Sequence, residues 1–229
     1  KGKRIMKKML IIIFILTIIL IGMIVYRSRS VSNSEQVTIT EIENIENYIS
    51  EIYMWQEITN EALPTFDNIN NANELWIWEV VKKNLEEFEL DYQQIQDKGK
   101  EIFGEDFKKE FPKEGSQSFE YNEETQKYYP TETNLDDKED RFLLNTIERT
   151  DEGYKVEIIE YIEDYSKVIE GQNIIIIENL NQEQIGQVSE PDSEQNIQDI
   201  VKRNIDKFSK KQIYLQQQDD KLYVEKVEN

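Results

Sequence analysis

The chain contains no cysteine and no histidine, and its 229 residues include only eight glycines and four prolines. Without cysteine there are no disulfides, no thiolate nucleophile, no thiol-linked lipid and no Cys-bound zinc. Without histidine there is no Ser-His-Asp triad, no Cys-His dyad and no imidazole-bound metal. The glycines of the later chain stand apart at Gly99, Gly104, Gly115, Gly153, Gly171 and Gly186, so no glycine-rich phosphate loop can form. No cofactor and no metal is expected. Cations are also scarce: 27 Lys and Arg face 47 Asp and Glu, for a net charge of −20. Such a chain is repelled by phosphate backbones, which excludes a nucleic-acid partner. Solubility beside a membrane or wall accounts for the surplus of acid; attraction of a cationic partner or of divalent ions is the sharper reading.

Where charge is missing altogether, something else is present. No residue from Met9 to Val25 is charged, and Thr17 alone is polar. A helix over that run is about 25 Å long, and Ile5, Met6 and Tyr26 extend it toward the roughly 30 Å of a hydrocarbon core. This is the pattern of a membrane span or an uncleaved signal anchor. A cleaved signal would need small residues after the run, whereas Gly22 is followed by Met23, Ile24, Val25 and Tyr26. Lys1, Lys3, Arg4, Lys7 and Lys8 precede the span and only Arg27 and Arg29 follow it, which orients the N-terminus to the cytoplasm. The expectation is a single-pass protein of the cell membrane with its C-terminal domain outside the cytoplasm. An exported domain without disulfides suits an envelope that does not rely on oxidative folding, as in many Gram-positive bacteria. Heavy use of Ile, Asn, Lys and Glu resembles the AT-rich coding of clostridial Firmicutes.

The chain divides into a basic tip and anchor (1–27), a serine-rich linker (28–38), a juxtamembrane helix and loop (39–72) and an α+β domain (73–229). Thr40 with Glu43 reads as a capping box, and Ile42, Ile45, Ile49, Ile52 and Trp55 form a stripe, predicting a helix over 40–62 that Pro64 stops. That stripe either packs on the domain or forms a coiled-coil seam between two copies. Asp67, Asn68, Asn70, Asn71 and Asn73 mark a loop. Leu75, Trp78, Val81, Leu85, Phe88, Tyr92 and Ile95 then keep helical spacing, which predicts one long amphipathic helix that Gly99 weakens or ends. A short helix over 101–111 follows, burying Ile102, Phe103, Phe107 and Phe111. The second half reads as strands at 119–122, 127–129, 141–149, 154–165, 173–178 and 184–188, then a helix at 193–208 and a final hairpin at 212–227. Thr150-Asp151-Glu152-Gly153 and Gln218-Asp219-Asp220-Lys221 are the turns. The four isoleucines Ile174, Ile175, Ile176 and Ile177 suit a strand buried on both faces.

Helices followed by an antiparallel meander make an α+β fold. The long helix carrying Trp78, Leu85, Phe88 and Tyr92, the hairpin 141–165 and the hairpin 212–227 together resemble the NTF2-like (cystatin-like) superfamily over residues 74–228. The resemblance implies a curved sheet wrapped round a long helix to leave a conical pocket, and a membrane-anchored, non-enzymatic role. The late helix at 193–208 departs from the commonest version of that fold, and no position matches a family site motif.

Four aromatic residues are the candidate contacts for a ligand or partner. Trp76 lies about 200° round the helix from Trp78, so the two cannot face one core. Trp76 therefore packs on the first helix, against Ile49, Ile52 or Trp55, or faces a pocket or partner, where tryptophan is a frequent hot spot. Tyr121, Tyr128 and Tyr129 offer stacking faces near Glu120, Glu123 and Glu124, the arrangement a carboxylate glycosidase uses, or else an exposed strand edge with solvated acids. Asp136-Asp137-Lys138-Glu139-Asp140 is the densest acid run, but its spacing is not that of an EF-hand and a solvated turn is favoured. The functional expectation is a non-catalytic envelope domain that binds a protein partner or small ligand. The alternatives are a carboxylate-dependent envelope hydrolase and a structural subunit of a secretion, conjugation or sporulation assembly.

Overall fold

The computed structural model describes residues 37–54, 61–132, 137–169, 172–189 and 193–229. The apolar run 9–25 and Trp55 lie outside the described residues. Among the described residues, no helix is long and apolar enough to cross a membrane. The fold is α+β with antiparallel sheets. Residues 37–229 form one compact unit, so the stretches 39–72 and 73–229 fold together.

Helix α1 spans Ile39–Ile52. Its cap is Thr38 rather than Thr40: the Thr38 hydroxyl accepts from Glu41 N and the Glu41 carboxylate accepts from Thr38 N at 2.8 Å, a reciprocal box. The helix ends at Ile52, earlier than the stripe suggested. Lys83 reaches across to donate to Ser50 O at 2.8 Å and Tyr53 O at 3.2 Å, supplying the positive charge that the last turn of α1 lacks. Ile45, Ile49 and Ile52 are fully buried within this unit, so the stripe packs on the domain.

The long second helix is instead two helices, α2 (Glu74–Lys83) and α3 (Tyr92–Phe103). Asn84 caps α2, its side-chain amide donating to Val80 O at 2.9 Å and to Glu51 O at 3.1 Å. Asp91 and Gln94 open α3 with a second capping box. Between them Phe88 stands 87% exposed, although it continues the apolar spacing. Gly99 does not end a helix but lies buried inside α3, where Phe107 crosses it. No helix spans 101–111: Gly104 caps α3 at φ 91°, and Phe107 and Phe111 are buried from a loop.

Strands β1 (Gly115–Ser116), β2 (Phe119–Asn122) and β3 (Lys127–Pro130) form a small sheet, tied to Leu90 by paired hydrogen bonds with Tyr128. The main sheet is organised by β5 (Gly153–Ile169). On one edge β5 pairs with β4 (Lys138–Arg149). Its other edge is shared: the first half pairs with β8 (Ser209–Gln218) and the second half with β6 (Gln172–Glu178). β7 (Gln184–Ser189) and β9 (Lys221–Glu228) complete the two arms. Helix α4 (Ser193–Arg203) and a 3-10 turn at Ile205–Lys207 replace the single helix expected over 193–208.

Alternate residues of β5 enter different cores. Tyr154, Val156 and Ile158 join α1, α2 and α3 in the larger core, with Trp76, Trp78 and Phe103. Contrary to expectation the two tryptophans share this core, because α2 is buried on both sides: Trp76 meets Phe66 and Phe103, and Trp78 meets Phe107 and Phe111. Ile159 and Tyr161 face a smaller core with Ile177, Val188, Val201 and Phe208. The isoleucine run Ile174, Ile175, Ile176 and Ile177 is at most 7% exposed at any position, as a strand buried on both faces requires. The β5 turn needs glycine because a methyl at Gly153 would lie 2.1 Å from the carbonyl oxygen of Leu215.

Candidate functional site

The four aromatic candidates do not converge. Trp76 is fully buried; its indole N–H donates to Ile52 O at 3.0 Å and its ring lies against Phe66 and Phe103. Tyr128 is 3% exposed, its hydroxyl donating to Lys113 O and its ring packed on Phe111 and Tyr121. Tyr121 and Tyr129 are half-buried on the small sheet beside exposed Glu120, Glu123 and Glu124. Of the acid run, Lys138 opens β4 and pairs with Glu178 at 2.7 Å and Asp164 at 3.6 Å, while Asp136 lies outside the described residues. Among the described residues, no group of acids is arranged to hold a metal ion.

A cleft of about 460 Å³ opens elsewhere, astride β4, with α1 and the end of α2 on one side and α4 on the other. Its wall carries the carboxylates of Glu46, Asp140, Glu163 and Glu194, the rings of Tyr53, Tyr161 and Tyr165, and the cations Lys83 and Arg141. Both cations are engaged. Arg141 pairs with Glu163 at 3.3 Å and with Glu139, while Lys83 is spent on the end of α1. Burial pulls the Lys83 ammonium below its ordinary value. The Tyr165 hydroxyl donates to Glu163 at 2.5 Å; burial, then that carboxylate, push Tyr165 up to about 12, so it remains a donor. Carboxylate and aromatic faces thus outweigh positive charge, a lining that receives cations.

β4 exposes backbone as well as side chains. Tyr165 N donates to Asp137 O, which places the odd positions of β4 in hydrogen-bonded pairs with β5. Phe142 and Leu144 therefore turn their N–H and C=O away from β5. Among the described residues, no second strand pairs with β4. A bulge between Leu144 and Thr146 bends the strand beyond that point.

Behind Tyr53 lies a buried polar group. Glu160 is 1% exposed and Lys211 5% exposed, on neighbouring strands of the larger core. Burial raises the Glu160 carboxyl to about 7, opposed by the charge of Lys211 and a hydrogen bond from Tyr53. The sequence held one sign of this residue. Val156, Ile158 and Ile162 are apolar at alternate positions of β5, and Glu160 interrupts them. Tyr53, Arg141, Glu163 and Lys211 carry no such sign, because strand pairing and helix packing bring them together. Compared with protein families, with curated proteins and with solved structures, the chain gave no match in any of the three.

Proposed function

We propose that this chain is a single-pass, membrane-anchored protein whose α+β domain lies outside the cytoplasm and binds a cationic segment of an envelope partner, without catalysis. The observation that carries the reading is the cleft astride β4: its carboxylates exceed its cations, both cations are already paired or capping, and three tyrosines wall it. The outward backbone of Phe142 and Leu144 favours an extended peptide, which can add to β4 as a strand. The net charge of −20 draws such a partner from a distance. The anchor rests on the uncharged run 9–25 and its flanking cations. An NTF2-like cone is supported by the arm β4-β5-β8-β9 packing on α1, α2 and α3; the break at Asn84 departs from the single long helix of that fold.

Two measurements test this. Protease applied to intact cells should remove the domain and spare the anchor; a protected domain refutes the orientation. The full chain in nanodiscs should bind a short peptide of alternating Lys and Val. The Glu and Val counterpart, and a Lys and Val peptide interrupted by proline at equal charge, should bind at least tenfold more weakly, about 1.4 kcal/mol or more. Equal binding of the proline-interrupted peptide would leave charge alone and remove the strand.

A further inference from the structure

The hydroxyl of Tyr53 stands between two acceptors. It lies 3.2 Å from the carbonyl oxygen of Arg141 and 3.4 Å from Oε1 of Glu160, and a hydroxyl has a single hydrogen to donate. Tyr53 caps α1, Arg141 belongs to β4 and Glu160 to β5, so the three join a helix to two strands. The second carboxyl oxygen of Glu160, Oε2, is buried and has no hydrogen-bond partner among the described residues. An ionised carboxylate shares its charge between both oxygens, and an unpartnered buried charge is costly. The geometry therefore selects the neutral acid. With the proton on Oε1, Glu160 donates to the oxygen of Tyr53, and Tyr53 keeps its own hydrogen for the Arg141 carbonyl.

We propose that Glu160, Tyr53 and the Arg141 carbonyl form a proton-operated latch that fastens the end of α1 to β4 at the cleft. Loss of the Glu160 proton to water reverses the chain: the Tyr53 hydrogen turns to the carboxylate, and the Arg141 carbonyl loses that donor. Contact between α1 and β4 is then weakened where both line the cleft. Charged and titratable groups approach from each packed element described. Lys211 on β8 draws the ionised form, and Asp140 on β4 and Glu61 after α1 oppose it. Lys211 itself lies 3.8 Å from Glu61. Tyr161 on β5 lines the cleft together with Tyr53, and Lys83 from α2 holds the Tyr53 carbonyl. Burial places the carboxyl at about 7, so the latch works around neutrality. Its bearing on partner binding rests on the reading of the cleft above, whereas the latch itself rests on side-chain geometry.

The test uses the full chain in nanodiscs without any peptide. Carboxyl NMR of the ¹³C-glutamate-labelled protein follows Glu160, identified by loss of its signal in Glu160→Gln. Hydrogen exchange of residues 138–144 is measured over the same pH range and corrected for the intrinsic pH dependence of exchange. Glu160 should titrate near 7, and β4 should lose protection about fivefold across that step, the scale of one hydrogen bond. Glu160→Gln should show no step. Tyr53→Phe should keep the titration and lose the step in β4. Titration of Glu160 near 4.5 with exposed glutamates, or a step that survives in Tyr53→Phe, overturns the latch. Should Glu160→Gln fail to fold, as circular dichroism would report, Tyr53→Phe still decides. Peptide binding without the step removes the latch alone; the step without peptide binding removes the proposed function alone.

Discussion

The indole N–H of Trp76 donates to the carbonyl of Ile52 across 3.0 Å, joining the middle of the larger core to the last turn of α1. Both residues are fully buried. Tryptophan thus satisfies a helix-end carbonyl that the helix itself cannot pair.

Trp76→Phe keeps an aromatic ring in place and removes this donor. The variant should fold normally by circular dichroism and lose about 1–3 kcal/mol in urea unfolding. Trp76→Ala adds a cavity and should lose about 3–5 kcal/mol. An unchanged unfolding midpoint in Trp76→Phe would show that the bond contributes nothing.

Glu160 gives stability a pH dependence on the neutral side. Its folded value of about 7 exceeds the ordinary 4.5. Protonation therefore favours the folded state: this contribution is complete below pH 4.5, erodes as pH rises, and is gone once pH passes 7. The loss amounts to about 3 kcal/mol. Glu160→Gln should be more stable than the parent at alkaline pH by up to that amount and equal to it in mild acid. Urea unfolding of both proteins on either side of the window decides; identical pH profiles would show that Glu160 does not titrate there.

Glu41 acts in the opposite direction. The backbone hydrogen bond from Thr38, then the Tyr154 hydroxyl at 2.7 Å, hold its carboxyl down at about 2, against an ordinary 4.5, with Arg149 adding a further pair. Its stabilising contribution is present above pH 4.5 and is lost as pH falls toward 2. In Glu41→Gln the acid limb of the stability profile should flatten. Thermal unfolding in acid checks this, and a limb as steep as the parent's would assign acid sensitivity to other groups.

At Gly99 helix propensity and packing disagree. Alanine is the better helix former by about 1 kcal/mol, yet a methyl there would lie 2.7 Å from the Phe107 ring. Gly99→Ala should destabilise by about 1–3 kcal/mol, because the ring must move within a packed core. The double variant Gly99→Ala with Phe107→Leu should recover part of that loss. A stabilised Gly99→Ala would show that Phe107 yields freely.

Phe88 continues the apolar spacing of a helix yet is 87% exposed. Phe88→Ser should leave unfolding unchanged to within about 0.5 kcal/mol. A larger loss would place the ring inside a core.

Capping chemistry was written in the chain, but its placement was not. Thr38 with Glu41 and Asp91 with Gln94 are both capping boxes in sequence. Spacing read over the whole stretch ran past Asp91, because α2 and α3 happen to keep one apolar phase across the loop between them. Periodicity reports which residues repeat, and it cannot tell a continuous helix from two helices in phase. The hairpins were legible for a firmer reason. Alternation and turn residues are local, and the strands of β5, β8 and β9 lie close to their expected bounds.

By itself the sequence determined the α+β class, the uncharged run 9–25, the acidity, the hairpins at 141–165 and 212–227 and the double burial of Ile174, Ile175, Ile176 and Ile177. Each follows from composition or from residues near one another along the chain. Only the tertiary structure decided that β5 divides its second edge between β6 and β8, that Trp76 closes the end of α1, and that Tyr53, Arg141 and Glu160 meet beside a cleft. Those relations join residues separated by 24 positions for Ile52 and Trp76 and by 107 for Tyr53 and Glu160. Contacts over such separations are fixed by how whole elements pack, for which no short-range pattern carries a signal.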